Sequence, residues 1–107
     1  MARTLINAPS TAKRGEVIAL RATIGHPMET GFRPGEDGKT LARNIIQRFS
    51  CRYNGELVFD VEMFSAVSAN PYIAFHTVAT ESGTLTLTWE GDNAFKQTES
   101  LSITVTA

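Results

Sequence analysis

Apolar residues recur at every second position along most of this chain, and nowhere at the three-and-four spacing of an amphipathic helix over more than a couple of turns. That periodicity calls for strands that each bury one face, and it excludes a helical bundle. "VIALRATI" (17–24) sets Ile18, Leu20, Ala22 and Ile24 on one side, with Arg21 and Thr23 on the other. "TLTLTWE" (84–90) turns Leu85, Leu87 and Trp89 inward against Thr84, Thr86, Thr88 and Glu90. "SLSITVTA" at the C-terminus repeats the pattern with Leu101, Ile103 and Val105.

Between these lie "NIIQRFSCRY" (44–53) and "ELVFDVEMF" (56–64), separated by Asn54-Gly55. Both turn residues tolerate the positive φ of a type I′ turn, so the two segments are expected to be antiparallel neighbours in a hairpin. "SAVSANP" (65–71) reads as a connecting loop, because Pro71 lacks a ladder donor, and "YIAFHTVA" (72–79) as the strand that follows. With "TLIN" near the start, about seven short strands at steps of roughly 8 to 12 residues predict an all-β, immunoglobulin-like antiparallel sandwich of two sheets. A chain of 107 residues is one domain's worth, so residues 1–107 are read as a single domain.

One part of the pattern is breached. In "LVFDVEMF" the positions of Leu57, Phe59, Val61 and Met63 make an inner face, yet Val58 and Phe64 are apolar on the other; Ile73 and Phe75 contrast in the same way with Tyr72, Ala74 and Val78. Apolar residues on both faces of an antiparallel strand mean that something covers the second face, either this chain's own loops or another chain.

Charge narrows the partners. Ten Lys and Arg against eleven Asp and Glu, with the basic residues scattered, leave no electrostatic footprint for nucleic acid. Apolar runs such as "LVF" (57–59) are far too short for a bilayer, and "MARTLINAPS" lacks an apolar h-region, so a soluble chain without an export signal or membrane anchor is expected. Cys51 is the single cysteine and alternates with Phe49 and Tyr53, which reads as a small buried hydrophobe. No intramolecular disulfide and no thiolate cluster is available to it.

The segment "IGHPMETGFRPGEDGKT" (24–40) interrupts the alternation. Its "HPME" resembles the iron-binding segment of superoxide reductases, which are also immunoglobulin-like sandwiches. That resemblance implies four histidines and one cysteine around iron, and the places that should hold two of those histidines hold Phe32 and Asn54. With only His26 and His76 present, no metal or other cofactor is expected. Nucleophilic catalysis has no strained Gly-x-Ser-x-Gly turn to support it, so no catalytic residue is assigned. The carboxylate pairs Glu36/Asp37 and Glu90/Asp92 sit in glycine-containing turns as solvated capping groups. What remains is a binding edge: His26, Met28, Phe32 and Arg33 on an irregular backbone, together with the Asn70-Pro71-Tyr72 corner. Folding of Met28 and Phe32 back over the end of the sandwich is the alternative.

"HPMETGFR", "FSCRYNGELVF", "SANPYIAF" and "GTLTLTWEGDN", in this order over nearly the whole chain, are similar to the SoxZ family, the Z subunits of the Sox thiosulfate-oxidation carrier complex. The resemblance implies a non-catalytic chain that pairs with a SoxY-type subunit, whose C-terminal Gly-Gly-Cys-Gly-Gly arm carries the sulfur adduct. It further implies transient docking to other Sox enzymes, and a periplasmic location reached on the signal-bearing partner. Alone, the chain would be expected to self-associate. Its candidate partner or docking residues are His26, Met28, Phe32, Arg33, Val58, Phe64, Asn70, Tyr72, Ile73 and Phe75. The competing readings are a stand-alone ligand-binding sandwich and a superoxide reductase-like redox enzyme that assembles its metal across subunits.

Overall fold

A computed structural model describes residues 2–107. Eight strands follow in chain order: β1 (Thr4–Asn7), β2 (Thr11–Lys13), β3 (Val17–Ile24), β4 (Ile46–Tyr53), β5 (Glu56–Glu62), β6 (Tyr72–Val78), β7 (Gly83–Gly91) and β8 (Lys96–Thr106). They form a three-stranded sheet in the order β1-β3-β6 and a five-stranded sheet in the order β2-β8-β7-β4-β5. The all-β, immunoglobulin-like two-sheet sandwich is therefore the observed architecture, in a body of 61 × 20 × 19 Å.

The long strands arise as their alternation dictates. Ile18, Leu20, Ala22 and Ile24 of β3 share a core with Leu85, Leu87 and Trp89 of β7, all buried, with Phe49 and Cys51 of β4 beside the β7 residues in the same sheet. Phe49 is the hub. Its ring lies 5.1 Å from Trp89, 5.8 Å from Phe75 and 6.2 Å from Phe59, so one side chain touches β7, β6 and β5. Phe59 and Phe75 stack face to face at 4.4 Å and 8°, closing the side of the sandwich where β5 and β6 meet. The Nε1 of Trp89 is buried with no hydrogen-bond partner among the described residues, so this residue acts through its volume.

The hairpin is where the sequence puts it. Asn54 (φ 50°) and Gly55 (φ 85°) take the left-handed backbone of a two-residue turn between β4 and β5. The turn also holds a neighbour in place. Asn54 Oδ1 accepts from the Thr84 amide at 2.9 Å, and the Tyr53 hydroxyl accepts from the amides of Thr80 and Glu81. The β4–β5 turn is thereby stitched to the β6–β7 turn.

Three features differ from the sequence reading. The eighth strand, β2, presents one inward residue, Ala12, and three residues are too few for alternation to register. It pairs with β8 in parallel, so the sandwich is not wholly antiparallel. The largest difference is in β5. Cys51 pairs with Phe59 but Arg52 pairs with Leu57, which leaves Val58 as the extra residue of a β-bulge. The bulge reverses the alternation at this end of the strand, so Leu57, expected inside, is exposed, and Val58, expected outside, packs against the core. Ile73 packs against the core and Phe75 is buried, so they form the inner face of β6, and Tyr72, Ala74 and Val78 form the outer one.

Truncation of Trp89 to Ala should destabilise the chain by about 3–5 kcal/mol. Trp89→Phe should cost clearly less, since it gives up an N–H that bonds nothing; urea denaturation of both variants checks the difference.

Candidate functional site

The loop after β3 is built inward first. His26 is 5 % and Met28 4 % exposed. His26 and Asn70 clasp each other: the Asn70 amide donates to the His26 carbonyl at 2.8 Å, and the His26 amide donates to Asn70 Oδ1 at 3.0 Å. His26 Nδ1 then accepts the Met28 amide at 3.0 Å, and its ring meets Phe95 edge-on at 5.1 Å. Met28 adopts φ 49°, and its thioether turns inward so that Sδ accepts the Ile46 amide at 3.2 Å. His26 and Met28 thus close the end of the sandwich and are not offered to a partner. Burial lowers the His26 pKa, with the nearby Asp92 charge opposing that shift.

Beyond Met28 the chain turns outward. Glu29 pairs with Asn44 and Pro34 with Thr40 as single β-bridges, and Arg33 Nη2 donates to Glu29 Oε1 at 2.5 Å. At this loop's crown Phe32 is 81 % exposed, its amide donating to Thr30 Oγ1. Ser65 Oγ reaches the Thr30 carbonyl, so Phe64, also exposed, lies on the same side of the molecule. Beside Phe64 runs an open groove of about 700 Å³ lined by Arg43, Gln47, Arg48, Glu62 and Met63. Both arginines are already paired, Arg43 with Asp92 and Arg48 with Asp60. Asp92 also accepts from the Ile45 amide and from Gln47, and this set of donors, Arg43 foremost, holds its carboxyl below the usual carboxylate range.

The expected interface set therefore divides. Phe32, Arg33, Phe64, Asn70 and Tyr72 reach the surface. His26, Met28 and Phe75 are interior, and Val58 and Ile73 are half-buried against the core, which corrects their assignment to an outer face. Sequence reasoning misses five exposed apolar side chains: Leu5, Val17, Leu57, Val61 and Val78, of which the alternation places Leu57 and Val61 on an inner face. The parity of β3 carries the signal for Val17, because an inward Leu20 forces it outward. In β1 the adjacent Leu5 and Ile6 leave the sequence ambiguous.

Among the described residues no group of three or more His, Cys, Asp or Glu is placed to hold a metal. The superoxide reductase ligand set does not fit: His26 Nδ1 is occupied by the Met28 amide, and His76 stands on the outer face of β6. Cys51 is fully buried, and desolvation pushes its thiol up to about 11, far from thiolate chemistry.

A family model described as "Sulphur oxidation protein SoxZ" matches residues 6–102. A search of curated protein sequences returns no match. Among solved structures, the chain is similar to a superoxide reductase (neelaredoxin) from Ignicoccus hospitalis, with TM-score 0.72, 17% identity, and coverage of 98% of this chain and 82% of that one. It is equally similar to a putative superoxide reductase from Thermotoga maritima, with TM-score 0.72, 19% identity, and coverage of 97% and 86%. The sulfur carrier protein SoxY from Chlorobium limicola f thiosulfatophilum matches with TM-score 0.67, 12% identity, and coverage of 97% and 79%. At these identities the structural likenesses establish a shared fold.

Because the folded pKa of His26 lies below its ordinary 6.5, the unfolded chain binds the extra proton. Stability against urea should hold above pH 6.5 and decline as pH falls below it, by up to about 1.4 kcal/mol per pH unit from this group. His26→Asn, which keeps an acceptor for the Met28 amide, should flatten the profile below about pH 6.5. Native chain should leave Cys51 unreacted with a thiol reagent at pH 8, with full reaction on unfolding.

Proposed function

This chain belongs to the SoxZ family, and from that premise we propose that it is the non-catalytic half of a SoxYZ-type sulfur carrier in thiosulfate oxidation. The family match over residues 6–102 carries the reading, and the position of the single thiol gives it a physical reason. A sulfur adduct that visits several enzymes has to sit on an accessible thiolate at the end of a mobile segment. Cys51 has neither property, so the working cysteine is supplied by a partner, a SoxY-type subunit whose C-terminal Gly-Gly-Cys-Gly-Gly arm bears it. That the Chlorobium SoxY is itself a sandwich of this fold supports pairing between two related domains.

The division of labour follows from stiffness. Strand ladders and an aromatic core give the chain a rigid body that can hold the root of the arm, while the arm's glycines keep the adduct free to enter one active site after another. The crown of the Glu29–Asn44 loop, with Phe32 exposed beside Arg33, is the proposed transient docking point for other Sox enzymes. The pair works in the periplasm, the Z chain travelling folded on its signal-bearing Y partner.

Co-expression with a SoxY-type chain should yield a complex containing one of each by native mass measurement; separate elution of the two chains would overturn the proposal. In a reconstituted thiosulfate-oxidation assay, Phe32→Ser should lower turnover several-fold and leave pairing unchanged. Unchanged turnover would remove the docking role from the crown.

A further inference from the structure

The two outward faces of the sandwich differ in kind. On the five-stranded sheet the outward positions of β7 and β8 are mostly hydroxyls, with Thr84, Thr86 and Thr88 beside Ser102, Ser100 and Thr98. That face is dressed for water. The three-stranded sheet is dressed otherwise. Its outward rows read Leu5–Thr23–Tyr72, Asn7–Arg21–Ala74, Ala19–His76 and Val17–Val78. Leu5 (75 % exposed) and Tyr72 (60 %) mark one end, Val17 (62 %) and Val78 the other, and alanines lie between. No carboxylate occupies any of these positions, and Arg21 has no ion-pair partner among the described residues.

On the reading that this chain pairs with a SoxY-type subunit, we infer that the outward face of the β1-β3-β6 sheet is where that subunit packs, through an apolar surface that presents a carboxylate to Arg21. Solvated antiparallel faces carry interspersed charges of both signs; this one carries Arg21 with no carboxylate, its other polar groups being Asn7, Thr23 and His76 among apolar residues, the pattern of a face whose counter-charge comes from elsewhere. A second copy of this chain is a poor occupant. A two-fold packing of the face on itself would bring Arg21 toward its own copy with no acid to separate them.

Area agrees with a partner that spreads beyond the sheet. Three strands of up to eight residues give roughly 350 Å² in plan, against roughly 800 Å² per side in a stable pair. The surface extends at both ends. A depression of about 520 Å³ lined by Arg3, Leu5, Gly25 and Asn70 adjoins the Tyr72 end, and a groove of about 380 Å³ lined by Tyr53, Val58, Thr80 and Glu81 begins at Val78. The exposed Asn70–Tyr72 corner belongs to the first of these extensions.

The test is affinity between the full-length chain and a SoxY-type subunit, with variants on each face. Leu5, Arg21 and Tyr72 are exposed, so their substitution leaves the core intact. Tyr72→Glu and Arg21→Glu should each weaken pairing by about tenfold or more, and Thr86→Glu on the opposite face should leave it unchanged. Loss of pairing by Thr86→Glu with retention by the other two would overturn the assignment. So would a wild-type chain that dimerises by itself and is made monomeric by Tyr72→Glu, which would give the face to a second copy. If wild type binds no SoxY-type subunit under any condition, the functional reading itself has failed. If wild type binds and both face variants bind equally well, only the placement of the interface has failed.

Discussion

The cluster around Phe49 sets the shape of everything else. Its ring packs against Trp89 from its own sheet, against Phe75 from the other, and against Phe59 from the neighbouring edge strand. Each contact is worth only about 0.5–1.5 kcal/mol beyond the area it buries, but together they fix how β5 and β6 face each other along an otherwise open side. The Phe59–Phe75 stack can form only if Phe59 points inward beside Cys51. It is the bulge at Val58 that lets the next residues toward the hairpin change face without disturbing that stack.

With both interiors committed to this core, the outer faces are free to diverge. The face of β4, β7 and β8 presents hydroxyls and guanidinium groups and needs no cover. The smaller sheet keeps Leu5, Val17, Tyr72 and Val78 in water, far from the core and unexplained by anything within the chain. Stability of the single chain gains nothing from that arrangement. The proposed interface would, since apolar residues flanking a single cation give both adhesion and a means of rejecting wrong partners.

Much of the fold is legible because alternation survives wherever a strand has one wet face: in β3, β7 and β8 it identifies the inward residues correctly. The Asn54-Gly55 turn is equally plain, since left-handed backbone at two successive positions selects those residue types. The site is harder. Parity fails at a bulge, so one unpaired residue exchanges the roles of Leu57 and Val58, and the exposed Leu5, Val17, Tyr72 and Val78 of the β1-β3-β6 sheet are not where the pattern of the β4–β5 hairpin points. The glycines and prolines around His26 and Met28 suggest a surface loop. Burial of the two side chains depends on contacts with Asn70, Phe95 and Ile46, remote in sequence, which no local pattern encodes.

Several polar side chains are committed to the fold: His26 holds Met28, Asp92 gathers Arg43, Gln47 and the Ile45 amide, and the Tyr53 hydroxyl serves the β6–β7 turn. Releasing His26 or the Tyr53 hydroxyl to a substrate would leave a buried donor or acceptor unpaired, at a cost of about 1–3 kcal/mol. On the proposed reading that commitment is consistent with the role, because a chain that anchors a mobile arm has to stay rigid while the arm moves. Its function then lies in the surface it offers, and the face around Arg21, with Leu5, Val17, Tyr72 and Val78 exposed, is the part proposed to meet the partner.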